Sequence, residues 1–329
     1  CGPDRGDLPA GISGERPQAL DRLLSRSLVS KSAAQTFATT LGGFFGIDSE
    51  PPVAPLTWLA DTGGRATGYL MRADPVHLRA DQSSLRLFDS ASLAIGQDEA
   101  DALVAAFNAH FSDRDWQLHT PCPQRWYLSL PAAPSITTCS PADMTGRDIN
   151  QGLPAGAGAG EWHAVLNEVQ MLLHSQPVNH AREARGLPVV NSLWFWGGGV
   201  IPASLTTAVS RVVSDDPLAM GLAGLAAVER RDVPVDAGEL LAQAVDGLTL
   251  VAHDELLQLT ALGDSTYWYD TLLQLETHWF APLLGALRSG RIAGMEIYPV
   301  NGSCYATSRA SQRQFWKPIQ PYETLSQHD

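Results

Sequence analysis

The 329-residue chain is 44% hydrophobic and 17% charged. That is the balance of a soluble globular protein with one large or two medium cores, and no apolar run reaches the roughly 18 residues a membrane span requires. With 22 basic against 35 acidic residues the net charge is −13, a field that repels nucleic acid and anionic membranes, so neither is an expected partner.

In chain order, Leu20, Leu23, Leu24 and Leu28 recur at three- and four-residue spacing and predict a helix over 17–31. A glycine-containing turn (42–52) and a short apolar run, APLTWLA (54–60), follow, and 61–64 break the chain. From Thr67 the texture changes. TGYLMRADPV and SSLRLFDS read as short strands, DEADALVAAFNAHF (98–111) as an amphipathic helix, and WQLHTPCPQRWYLSL as two strands split at 121–123. After a loop at 131–160, EWHAVLNEVQMLLH (161–174) carries Trp162, Val165, Leu166, Val169, Leu172 and Leu173 along one face of a helix. Pro177 interrupts it, and a second short helix over 178–185 stops at Gly186. SLWFW reads as a buried strand, GLAGLAAVERR as a helix, LTLVAH (248–253) as a strand, 254–288 as a long helical stretch and GMEIYPV (294–300) as a last strand. Strands alternating with helices after Asn191 argue for a parallel sheet with helices on both faces.

The four cysteines, Cys1, Cys122, Cys139 and Cys304, lie far apart with no C-x-x-C pair, which favours a reducing, cytoplasmic compartment. A start at Cys1 rather than Met, with no signal-peptide apolar core, points to a trimmed or processed beginning. The densest chemistry lies at His174, Asn179, His180, Arg182, Arg185 and Asn191. Amides and guanidiniums suit the holding of an oxyanion, and equally suit the capping of helix ends at a helical corner. The three glycines Gly197–Gly198–Gly199 lack G-x-G-x-x-G spacing and a G-K-S/T ending, so a turn competes with a phosphate loop. For metals, the richest neighbourhood is His253, Asp254, Glu255, Asp264, Glu276 and His278, without the spacing of a ligand motif. No G-x-S-x-G elbow marks a nucleophile, and the catalytic residues are unknown.

Taken together, LHSQPVNHAREARGLPVVNSLWFWGGG (173–199) resembles the archaeal-type cofactor-independent phosphoglycerate mutases, and most closely a bacterial side branch described as RpfE-type regulatory or mutase-like. Those proteins carry His-Pro-Val-Asn, then Arg, then Gly-x-Pro-x-x-Asn and an apolar strand. The matching residues are Pro177, Val178, Asn179, Arg182, Gly186, Pro188 and Asn191, with Gln176 in place of the His. The resemblance implies an alkaline-phosphatase-like, doubly wound α/β core, discontinuous over 1–66 and 189–329, interrupted by an inserted α+β domain at 67–188. In active members the core holds two divalent metals, a Ser takes the phosphoryl group, and the insertion supplies Arg and Asn contacts to substrate. Here SAAQTFATTLGGFFGID lacks the Pro-Gly-Ser-Asp nucleophile, LTALGDSTYW has Asp264 but no His, and YPVNGSCYATS has neither Asp nor His.

The resulting expectation is a degenerate, non-catalytic relative that binds a phosphorylated metabolite or acts as a regulator through a protein partner, without a cofactor. Arg182 and Arg185 would be anion clamps, Asn179 and Asn191 positioners, and His174 an optional donor, in the cleft between insertion and core. The alternative is an active mutase or phosphatase with Mn, Zn or Mg in a rearranged site at His253 and Asp264. A third reading makes the Asn/Arg cluster purely structural.

Overall fold

The computed structural model describes residues 16–32, 34, 36–81, 84–144, 149–243, 246–262 and 264–325; Cys1 lies outside them. In chain order the strands are β1 Leu28–Lys31, β2 Tyr69–Asp81, β3 Ser84–Phe88, β4 Gln117–Cys122, β5 Arg125–Leu130, β6 Ser192–Gly199, β7 Val209–Val213, β8 Glu229–Arg231, β9 Leu248–Val251, β10 Gly294–Ile297 and β11 Ser303–Ser308. With the helices between them they make a mixed α/β protein. The chain divides into two compact units: Pro51–Leu205 with Met220–Leu225, and Cys1–Glu50 with Thr206–Ala219 and Ala226–Asp329. Residues 51–66 and 189–205, expected with the core, thus group with 67–188.

The unit around 51–205 is built on β2. Its long strand pairs antiparallel with β5 over Tyr69–Arg72, with β6 over Leu70–Val76 and with β3 over His77–Asp81, and β4 extends the sheet beyond β5. Pro75, which has no N–H to give, falls where β2 is paired with β6 alone, so only one side of the strand carries a ladder there. The helices Gln97–His110 and Ala159–His174 cover one face, joining Leu103, Phe107, Trp162, Val169, Leu193 and Phe195 in the largest apolar cluster. On β6 the alternate residue Trp194 packs with Val76, Met144 and Ile149 in a separate cluster. β6 is therefore covered on both faces, which is why SLWFW reads as an unbroken apolar run. The expectation that SLWFW re-enters the core is corrected by this pairing, since its ladder partner is β2.

The other unit holds two smaller sheets. β7 lies between β8 and β9, all parallel, and the sheet is connected through the helices Pro217–Leu225 and Ala237–Ala242. β1, β11 and β10 form an antiparallel sheet. The helix expected over 17–31 ends at Ser25, because Leu28–Lys31 pairs with Ser303–Ala306 as an edge strand, leaving Leu28 exposed. The stretch GLAGLAAVERR splits likewise, its last residues becoming β8 beside β7. The stretch 254–288 is cut by the Asp264 cap of the helix Ser265–Leu275 and by a π-helical segment at Glu276–Phe280, ahead of the helix Ala281–Ser289. None of the described helices is long and apolar enough to cross a membrane.

Candidate functional site

The helix Pro177–Ala184 begins on Pro177 in its first turn, a position that needs no N–H, and ends at Gly186 with φ +70°. Gly186 N donates to Glu183 O at 2.9 Å and Leu187 N to Arg182 O at 2.9 Å, the paired bonds of a Schellman end. This closure turns the chain back toward β6 and carries the Asn and Arg side chains with it.

Every polar group of the buried Asn179 amide is engaged. Its Nδ2 donates to Leu173 O at 2.8 Å and Val190 O at 2.7 Å, and its Oδ1 accepts from Val190 N at 2.9 Å. Asn191 does the same one strand over: Oδ1 accepts from Leu78 N at 2.7 Å and Nδ2 donates to Leu78 O at 2.8 Å, so a side-chain amide prolongs the β2–β6 ladder past its last backbone pair. Arg182 is 0% exposed. Its Nε donates to Pro188 O at 2.9 Å, Nη1 to Glu99 Oε2 at 2.5 Å and Nη2 to Leu93 O. Arg185 is exposed and lies 3.5 Å from Glu99 Oε1. The His174 side chain is exposed and makes no hydrogen bond among the described residues.

The structure thus brings Asn179, Arg182 and Asn191 into one network, with Arg185 at its edge and His174 apart. The expected anion clamp at Arg182 is corrected: a guanidinium with no exposed surface, and with all three nitrogens donating to internal oxygens, has no face left for a ligand. The expected positioners Asn179 and Asn191 position backbone instead. The glycine run has an equally internal cause. A Cβ at Gly197 would stand 2.9 Å from Val53 Cβ, one at Gly198 2.3 Å from the Tyr69 hydroxyl, and one at Gly199 2.5 Å from Pro52 Cβ. The glycines let neighbouring segments approach the strand.

The candidate metal ligands are also engaged in helix construction. Asp264 Oδ1 accepts from Tyr267 N at 3.0 Å and caps Ser265–Leu275. Glu276 accepts from Ala19 N at 2.6 Å and Leu20 N at 3.0 Å, capping the helix Gln18–Ser25, whose own N-cap, Pro17, has no side-chain acceptor. Asp254 accepts from Gln258 at 2.7 Å, and His253 is exposed after β9. Among the described residues no group of three or more His, Cys, Asp or Glu is placed to hold one ion. This donor set does not fit the two divalent metals of the mutase type, which require several carboxylates and imidazoles around a pair of ions.

A second polar network escaped the sequence reading. On β2, Arg72 donates to Asp74 Oδ1 through Nε at 3.0 Å and Nη2 at 2.6 Å, while Trp196 Nε1 donates to Asp74 Oδ2 at 2.7 Å. The Arg72 guanidinium lies over the rings of Tyr127 and Trp196. Burial pushes the Asp74 carboxyl up, and Arg72 opposes that shift. Nearby, Asp61 accepts from Arg125 at 2.6 Å and from the Tyr127 hydroxyl at 2.5 Å. Burial raises the Tyr127 phenol and keeps it a donor. The only advance signal was the pair of charges inside the apolar strand YLMRADPV.

No protein-family model matches the chain. The 2,3-bisphosphoglycerate-independent phosphoglycerate mutase of Methanosarcina barkeri is 26% identical over 140 residues, which cover 41% of this chain and 35% of that protein. The probable enzyme of the same name from Geobacter sulfurreducens is 34% identical over 67 residues, 20% of this chain and 17% of that protein. The chain resembles these mutases. The matched part spans about a third of the length of the Methanosarcina protein. Among solved structures, the cofactor-independent phosphoglycerate mutase of Thermoplasma acidophilum covers 97% of this chain and 91% of its own at 16% identity, TM-score 0.45. The PH0037 protein of Pyrococcus horikoshii covers 94% and 84% at 13% identity, TM-score 0.47.

Proposed function

We propose that this chain is a phosphoglycerate-mutase-like protein that binds a phosphorylated metabolite and regulates, rather than transferring a phosphoryl group at a metal centre, and that it works in the bacterial cytoplasm. One observation carries the reading. Where the family's Asp and His ligand pair falls, in LTALGDSTYW, the only carboxylate is Asp264, its Oδ1 accepts from a helix N–H, and the segment contains no imidazole. The Pro-Val-Asn…Arg…Asn segment is on this reading a structural inheritance, which explains a match to mutases without the mutase chemistry. The test pairs binding with turnover. Calorimetry with 2- and 3-phosphoglycerate should register heat of binding, and mutase assays with added Mn, Zn or Mg should register none of the interconversion. Metal-dependent turnover would refute the non-catalytic half, and an absence of binding to every phosphorylated acid tried would refute the other.

A further inference from the structure

The unit that contains β10 and β11 gathers an unusual set of cations. Arg22, in the helix Gln18–Ser25, and Arg26, its C-cap residue, face Arg288 from the last turn of Ala281–Ser289 and Arg309 and Arg313 from the two ends of the short helix at 309–312. With Gln312 these arginines line one pocket of ≈ 330 Å³. Several arginines elsewhere meet carboxylates, as in Arg16–Asp21, Arg125–Asp61 and Arg211–Glu229. Among the described residues none of the five in the pocket forms an ion pair with a carboxylate.

Two of the five are also short of hydrogen bonds. Arg26 is 5% exposed, and its Nη1 donates to Gln312 O at 2.5 Å, but its Nε is buried with no partner among the described residues. The Nε of Arg22 and the Oε1 of Gln312 are in the same condition. Buried N–H donors without acceptors cost free energy, and like charges held together repel. Burial, then Arg26 and Arg288, lower the Arg22 guanidinium from its ordinary value, the direction such crowding produces. An anion in the pocket would relieve both costs, and guanidinium forks match phosphoryl oxygens in pairs.

We propose that this arginine-lined pocket is a binding site for a small molecule with two or more adjacent phosphoryl groups. One phosphate brings roughly −1.5 to −2 of charge, too little for five guanidiniums. The pocket has metabolite dimensions, and the net charge of −13 opposes an extended polyanion. Phe315, 82% exposed, also lines the pocket. It offers a ring on which a nucleobase would stack, so the phosphoryl groups could belong to a nucleotide or to a base-free compound. The site stands on its own geometry and takes from the proposed function only the choice of phosphorylated probes.

Calorimetry on the full chain with inorganic phosphate, pyrophosphate and ATP tests it. Pyrophosphate should bind at least about tenfold more tightly than phosphate, and each of the exposed-residue variants Arg288→Ala and Arg313→Ala should weaken it about tenfold or more while the ligand-free melting temperature stays put. Arg185→Ala, in the other unit, should leave binding unchanged. Weaker ATP binding in Phe315→Ala, with pyrophosphate unaffected, assigns a nucleotide; equal ATP and pyrophosphate affinities in both proteins assign a base-free ligand. Pyrophosphate binding that is absent, or that survives Arg288→Ala and Arg313→Ala together, overturns the site. Phosphoglycerate binding that ignores those two arginines, with pyrophosphate binding absent, would overturn this site and leave the proposed function standing.

Discussion

Arg182 shows how a residue chosen for ligand chemistry can be consumed by folding. Its guanidinium joins the end of the short helix Ser90–Leu93, the helix residue Glu99 and the segment at Pro188, so removing it strands two carbonyls and a carboxylate that is only partly exposed to water. Arg182→Ala should lower stability by about 2–4 kcal/mol in chemical denaturation. Arg182→Lys should recover little of that, because one ammonium cannot reproduce three divergent donors. A near-neutral result would mean that water replaces these bonds without cost. His119 offers a test of different kind. Half-buried beside Trp58 and 3.2 Å from the Ser129 hydroxyl, its imidazole is held below the usual value of 6.5 by burial. When the folded pKa lies below the unfolded one, the unfolded chain binds the extra proton as pH falls through about 6.5, and stability falls with it. Unfolding free energies measured on either side of that pH should therefore converge in His119→Gln relative to the parent, and an unchanged slope would assign the acid sensitivity elsewhere.

At the scale of elements, the glycine run and the remote cap make separate predictions. Gly198→Ala drives a methyl toward the Tyr69 hydroxyl in a strand bonded along β2, and should cost about 1–3 kcal/mol as overpacking. Glu276→Ala removes the acceptor of two N–H groups at the start of Gln18–Ser25, and should cost about 1–2 kcal/mol, with Glu276→Gln losing less. Both are read from denaturant midpoints. These elements also mark what the sequence could and could not disclose. The Ala159–His174 and Gln97–His110 helices were legible within two residues, because an apolar stripe and a terminating signal lie inside each. Gly186 announced the end of Pro177–Ala184 for the same reason. β1, β7, β8 and β11 were not foreseen, since the residues of a short strand owe their extended form to the partner strand beside them. The cap on Gln18–Ser25 was hidden more deeply, because Glu276 lies 257 positions from Ala19 in sequence. As for the site, the Asn and Arg residues were found but their bonding was not, because an amide that holds a ligand and one that holds a carbonyl are the same letter. The arginine pocket draws on positions from 22 to 313, and no local spacing could have assembled it.

For the whole molecule, the decisive fact is that each compact unit carries its own core and its own polar business. The clusters around Phe107, Trp162 and Phe195 belong to the unit at 51–205, and those around Leu23, Trp268 and Leu287 to the other. The motif that resembles the mutases is structural cement of the first, while five arginines with no carboxylate partner among the described residues line a pocket in the second. The two sites should therefore respond separately to perturbation. A ligand that binds the folded state protects the residues it contacts and raises the free energy of opening there, by mass action. In hydrogen exchange resolved by peptide, pyrophosphate should slow exchange in segments containing Arg22, Arg26, Arg288 and Arg313. Arg182→Ala should speed exchange in the peptides around Leu93, Glu99 and Pro188, which hold its hydrogen bonds, and leave pyrophosphate protection near Arg313 intact. If Arg182→Ala abolished that protection, the Asn179–Arg182 network would have a part in ligand binding after all, and its reading as internal cement would fall.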